Sequence, residues 1–179
     1  MHIEGVIVPV VGDYVDRGIR QAEANGASAV IIELSTPGGD YATTQRIVGT
    51  ILNSKVPVIV YVSPSGGWAG SAGTFITLAA HIAAMAPGSR IGAAHPVTPG
   101  TELTPTEQEK ITNYAAAFIR SIANLRGRDP DRAESAVRQN LSFSVDEALD
   151  GELIDLRADS LTDLLTQVNG RKVTLADGQ

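Results

Sequence analysis

The chain has 179 residues, enough for one domain that buries about 70% of its unfolded surface in a single core. It carries 14 Lys+Arg against 20 Asp+Glu, so it lacks the basic face that a nucleic acid or an anionic membrane surface requires. With no cysteine it can form neither disulfides nor thiolate sites, and 43% hydrophobic residues exclude disorder.

In chain order, Ile3 to Val11 is rich in β-branched residues and reads as a first strand. The opening residues lack the charged and apolar regions of a signal peptide. Tyr14 to Asn25 has helical spacing at Val15, Ile19 and Ala22, and Gly26 stops it. Ala29 to Leu34 is a continuous apolar run, as in a strand buried on both faces of a parallel sheet. The turn Ser35–Asp40 leads into a helix from about Tyr41 to Ser54, and Val56 to Val62 is a third strand. Ser63 to Gly70 is a second glycine-rich loop, opening into a small-residue helix from about Ser71 to His81.

Ala69 to Ala86 has no charge except on His81, but its glycines, Ser71, Thr74 and Thr77 suit a buried helix better than a membrane span. Short strands are expected at Ala83–Ala86 and Ile91–Ala94. Pro96 to Thr106, rich in Pro, Thr and Gly, is expected as a mobile loop that lies over the cleft as a lid. A long helix follows from about Glu107 to Leu125, and Asp129-Pro130 starts another to about Gln139. Ser144 with Glu147 forms a capping box before a short helix. Leu153–Leu156 reads as a strand, Ser160–Val168 as a helix and Lys172–Leu175 as a last extended piece. Strand and helix alternate almost throughout, so the fold class is α/β with a mainly parallel sheet and flanking helices. Residues 1–179 read as one domain with its core at about 3–168.

Open parallel sheets bind ligands at the carboxyl ends of their strands, where both glycine-rich turns fall. Neither turn contains GxxxxGK[ST] or GxGxxG, which argues against a phosphate cradle. Ser71 stands at the mouth of a helix, where developing negative charge is stabilised. It is a candidate nucleophile, or else simply the helix N-cap. A nucleophilic serine needs a base. The candidates are His81, His95 and Lys110. Lys110 precedes Ile111, with Ala115 and Phe118 on the adjoining face. An apolar cleft would favour the neutral amine, the form that acts as a base. Alternatively, Lys110 pairs with Glu107 on a solvated face. His81 suits the C-terminal end of its own helix, as a cap. Neither His81 nor His95 has a metal partner at i+4, so no metal is expected.

Ser35-Thr36-Pro37-Gly38-Gly39, the run Gly67 to Ile76 and the run Ala84 to Ala94 together resemble the ClpP/crotonase superfamily. Within it the chain is most similar to the NfeD family, membrane-bound serine proteases encoded beside stomatin-like proteins. Lys110 to Tyr114 and Leu141 to Ala148 extend the likeness over most of residues 3–168. The resemblance implies a Ser71–Lys110 dyad and an oxyanion hole from backbone N–H groups near Gly38-Gly39 and of Ala72. The substrate is then a hydrophobic peptide segment, notably of a stomatin-like protein, with Trp68, Phe75, Ile111 and Tyr114 as apolar pocket walls. No cofactor enters this reading. By the same resemblance the domain forms a homodimer or larger homo-oligomer, and sits outside the cytoplasm in a membrane-anchored parent. The ClpP histidine would fall on His95, but the matching aspartate position falls on Asn140, which weakens a triad. Two rival readings are a crotonase-type acyl-CoA enzyme and an inactive scaffold for a stomatin-like partner.

Overall fold

The computed structural model describes residues 1–97, 100, 103–176 and 178. The chain runs β1 (His2–Glu4), α1 (Pro9–Ala24), β2 (Val30–Ser35), α2 (Tyr41–Leu52), β3 (Val58–Val62), β4 (Trp68–Gly70), α3 (Ala72–Ala79) and β5 (Ile82–Met85). It continues through β6 (Arg90–Gly92), α4 (Pro105–Leu125), α5 (Pro130–Arg138), β7 (Ser142–Ser144), α6 (Val145–Asp150), β8 (Leu156–Arg157) and α7 (Leu161–Val168). The central sheet has the order β1-β2-β3-β5-β8 and is parallel at every pairing, with Ile32 opposite Val60 and Val60 opposite Ala83.

Both faces of this sheet are covered, which explains the unbroken apolar runs. On one face Ile32, Leu34, Val58, Val60 and Val62 pack with Ile47, Ile51 and Ile76 of the helices. On the other, Ile59, Tyr61 and Ile82 pack under Leu164 of α7. Each fully buried Ile or Leu contributes about 1.5–3 kcal/mol. Beyond the carboxyl ends lies a smaller sheet, β4-β6-β7, parallel at its first pairing and antiparallel at its second. A bridge from Thr36 to Ala69 joins it to the end of β2, and another ties Ile7 to Gly39. The two glycine-rich turns are thereby held side by side.

Several boundaries differ from expectation. The first strand ends at Glu4, and α1 begins at Pro9 rather than Tyr14. A proline at the first helical position is preset for a helix, and this outweighs the β-branched run around it. Trp68–Gly70 is a strand, not loop, because Ala69 and Gly70 pair with β6. The stretch 69–86 divides between β4, the eight-residue α3 and β5, and all of α3 is buried. Among the described residues no helix is long and apolar enough to cross a membrane. The long helix starts two residues early, at Pro105, behind a capping box of Thr104 and Glu107. Of the expected lid, Thr98, Pro99, Thr101 and Glu102 lie outside the described residues. Residues 171–175 carry no regular element.

His81 does not cap α3. Arg126 and Arg128 do so, donating to the carbonyls of Ala79, Leu78 and Ala80, and Asp155 holds the buried Arg128 at 2.9 Å. His81 instead accepts the Val58 N–H on Nδ1 at 3.1 Å. Burial, with the Arg126 charge beside it, pushes its pKa down from 6.5 to about 4. The folded chain therefore holds a neutral imidazole that the unfolded chain would protonate. Its contribution is complete above pH 6.5 and is lost as pH falls toward 4. This amounts to about 3 kcal/mol across the window. Thermal unfolding followed between those pH values should show that slope, and His81→Asn, which keeps an acceptor for Val58, should flatten it. An unchanged slope in the variant would assign the acid sensitivity to other groups.

Candidate active site

A cavity of about 1420 Å³ opens where the carboxyl ends of the strands meet the overhanging start of α4. Ser71, Ala72, Gly39 and Lys110 line it, and Phe75, Ile111 and Tyr114 supply apolar wall. The structure thus brings together most of the candidates from three distant stretches of chain.

Ser71 stands between β4 and α3 with φ 50° and ψ −110°, outside the regions an L-residue ordinarily occupies. Its N–H donates to Gly92 and its carbonyl accepts from Thr74, both at 2.9 Å, so the backbone is pinned on either side. Thr74 adds its hydroxyl, 2.9 Å from the Ala69 carbonyl and 3.0 Å from that of Gly92, clamping β4 to β6 just below the serine. Ser71 occupies the N-cap position of α3, yet its hydroxyl caps nothing and has no hydrogen-bond partner among the described residues. Strain of this kind costs about 1–3 kcal/mol and persists only where surrounding packing enforces it.

The glycine turn divides its work unevenly. Gly38 has φ 124°, and a Cβ there would lie 2.7 Å from the Ser71 Cβ. Its N–H is already given to Thr36 Oγ1 at 3.0 Å and its carbonyl accepts from Ile7 at 2.8 Å. Gly38 therefore makes room for the serine and has no free donor. The N–H groups of Gly39 and Ala72 have no acceptor among the described residues. Two uncommitted amides on one cavity, that of Ala72 at the mouth of α3, can hold a developing oxyanion. Thr36, which settles this division, gave no signal in the sequence beyond its place in the turn.

Lys110 lies on the second turn of α4 and makes no ion pair among the described residues. It does not pair with Glu107, whose carboxylate is taken by Thr104 in the capping box. Nor is it buried in an apolar cleft. Residues 105–114 include no buried side chain, and burial of α4 begins at Ala115. Ile111 and Tyr114 are 36% and 61% exposed, so the apolar wall here faces the open cavity. Tyr41, Phe75, Phe118 and Tyr114 form a chain of edge and stacked contacts along it. Burial pushes the Tyr41 hydroxyl up to about 12, and that hydroxyl has no partner among the described residues.

Trp68 is not part of the cavity lining. Strand alternation places its indole beside Gly70, where a Cβ would strike the ring, and Arg90 lies over it at 4.9 Å. His95 and Asn140 do line the cavity, but no triad forms. The His95 Nδ1 faces the Val137 carbonyl at 3.0 Å, its Nε2 faces Gln108 at 3.1 Å, and Asn140 meets only its backbone N–H.

The profile described as NfeD1b, N-terminal domain, matches residues 2–169. The membrane-bound protease PH1510 of Pyrococcus horikoshii is 42% identical over 175 residues, which are 97% of this chain and 40% of that protein. The chain thus spans well under half the length of that curated relative. Among solved structures, the 1510-N membrane-bound stomatin-specific protease is similar in two forms. A serine-to-alanine variant has a TM-score of 0.90 at 41% identity, covering 99% of this chain and 87% of that one. A lysine-to-alanine variant in complex with a substrate peptide has a TM-score of 0.88 at 42% identity, covering 96% and 80%. ClpP1 from Listeria monocytogenes has the same fold, with a TM-score of 0.73 at 22% identity over 92% of this chain and 93% of that one.

Proposed function

The chain belongs to the family described as NfeD1b, N-terminal domain, and from that premise we propose that it is the catalytic domain of a serine endopeptidase. Ser71 is the nucleophile and Lys110 the general base. The observation that carries this reading is the strained Ser71, its hydroxyl uncommitted, facing the cavity that Lys110 also lines. The solved relatives with serine and lysine variants, one holding a substrate peptide, support the same pair of roles.

The unprotonated Lys110 amine takes the Ser71 proton as Oγ bonds to the scissile carbonyl carbon. The carbonyl oxygen becomes an oxyanion that accepts from the Gly39 and Ala72 N–H groups. Collapse breaks the C–N bond, and the Lys110 ammonium returns its proton to the leaving amine. Water, deprotonated by the same amine, then adds to the acyl carbon, and collapse breaks the C–Oγ bond as the Lys110 ammonium returns the proton to Ser71. A peptide filling the cavity excludes water from the exposed lysine, which strengthens each of these contacts.

The substrate is an apolar segment, and a stomatin-like membrane protein is its source, a reading supported by the stomatin specificity of the 1510-N relative. Val6, Val8 and Val97, exposed at 56%, 38% and 77%, continue the apolar wall to the cavity rim. The reading extends to a membrane-anchored parent, as in the relative named a membrane-bound protease, with this domain outside the cytoplasm and assembled as a homo-oligomer.

The test is labelling with an organophosphonate reagent, read by mass spectrometry. One adduct, on Ser71, is the expected result, and no adduct or one elsewhere overturns the assignment. Peptide series should then show kcat/KM at least about tenfold higher for apolar than for acidic flanks, since the walls are apolar and the net charge is −6. Equal rates on both series would count against the proposed pocket.

A further inference from the structure

We infer that Gln108 is a positioning residue, whose hydrogen bonds to His95 and Pro96 hold the start of α4, and with it Lys110, at the cavity. The inference rests on the reading of Lys110 as the base. Apolar contact seats this part of the helix only lightly, because residues 105–114 bury no side chain fully and Tyr114 meets Tyr41 at its far end. Polar ties do the rest. Farther along, Asn113 accepts from Arg138 at 2.6 Å and Tyr114 meets Gln45 at 3.5 Å. The tie nearest Lys110 is Gln108, whose Nε2 lies 3.0 Å from the Pro96 carbonyl and 3.1 Å from His95 Nε2.

The direction of these bonds follows from their fixed acceptors. The Val137 carbonyl can only accept, so His95 Nδ1 carries the proton and Nε2 presents a lone pair. The Pro96 carbonyl also can only accept, so the NH₂ end of the Gln108 amide faces it. The two N–H groups serve the two nearer acceptors, with the Thr112 hydroxyl of the same helix farther off at 3.4 Å, and a flip of ring or amide loses a bond. His95 thus spends its Nε2 lone pair on the helix rather than on the serine. Its own loop is tied to the body by the Ala94 N–H, donated to Ala136 at 2.9 Å.

Glu107, Lys110, Ile111 and Tyr114 recur at i, i+3, i+4 and i+7, one stripe of α4, and all four line the cavity. Gln108 lies beside that stripe, so it sets the roll of the helix about its axis. Releasing it lets Lys110 turn away while the hydrophobic seat from Ala115 onward stays intact. A shift of about 1 Å at a catalytic group can cost as much as a hundredfold in rate.

The test compares Gln108→Ala, His95→Leu, His95→Gln and the Gln108→Ala/His95→Leu pair, using peptide kinetics and amide exchange over residues 109–114. Gln108→Ala and His95→Leu should each lower kcat about 10- to 100-fold with KM within about threefold, and the pair should be no worse than either. His95→Gln, whose amide oxygen can stand where Nε2 stood, should recover most of the rate. Exchange over 109–114 should quicken at least about tenfold in the first two variants and not in His95→Gln. An unchanged kcat, a loss confined to KM, or unchanged exchange overturns the inference. If wild-type protein cleaves no peptide, the protease reading fails, and the exchange result alone then decides whether Gln108 holds the helix.

Discussion

Lys110→Ala should lower kcat by about a thousandfold or more, as far as Ser71→Ala does, and the double variant should fall no further. Members of one catalytic unit are not additive, because removing either leaves the other with nothing to do. Among the bases considered for Ser71, His95 is the rival to Lys110 that also lines the cavity. The imidazole of His95 is engaged at both nitrogens, and Asn140 gives it no carboxylate. Steady-state rates on an apolar peptide, with unfolding curves to show that each variant is folded, make the comparison. His95→Gln is the informative contrast, since it keeps a hydrogen-bond acceptor but cannot take up a proton. A Lys110→Ala protein with near-normal kcat, beside an inactive folded His95→Gln, would transfer the role of base to the histidine.

Gly39→Ala should cost about 100- to 1000-fold in kcat, the usual loss for one oxyanion donor. A Cβ at this position would run into the backbone of Ile7, its nitrogen only 2.6 Å away and its carbonyl oxygen nearer still. Backbone cannot yield as the end of a long side chain can, so the turn itself must move and its amide with it. Gly49→Ala is the control. It lies in α2 with nothing near the added methyl, and it should be fully active and about 1 kcal/mol more stable. Both variants are read by kcat at a temperature where circular dichroism shows them folded. A Gly39→Ala enzyme that turns over at the wild-type rate would remove this amide from the mechanism.

Local chemistry made the sheet and most helices legible. Ala29–Leu34 and Val56–Val62 announce strands buried on both faces, and Ser144 with Glu147 announces a cap that the structure contains. What was hidden depends on partners far away in the chain. Nothing near Trp68 says that Arg90 will cover it, or that pairing with β6 will turn a glycine-rich loop into strand. The ring of His95 is claimed by the Val137 carbonyl, 42 residues on. Gly38 and Gly39 look alike in sequence, yet the Thr36 hydroxyl occupies the amide of the first only. Of the two readings open for Lys110, an apolar cleft or a pair with Glu107 on a solvated face, neither holds: α4 meets the core only at Ala115, and Thr104 takes the Glu107 carboxylate. Side-chain spacing along a helix reveals its apolar stripe, but not where along its length the stripe first touches anything.

The backbone at Ser71 puts durability and turnover in conflict. Its positive φ is a conformation that glycine adopts freely, and the serine holds it because hydrogen bonds to Gly92 and Thr74 pin its backbone and α3 behind it is wholly buried. A lineage selected for survival of heat alone would drift toward glycine at this position and gain stability with each generation that kept it. Only a requirement for the hydroxyl opposes that drift. Persistence of serine at such a site in a heat-selected library would therefore be a record of function, legible without any assay of cleavage.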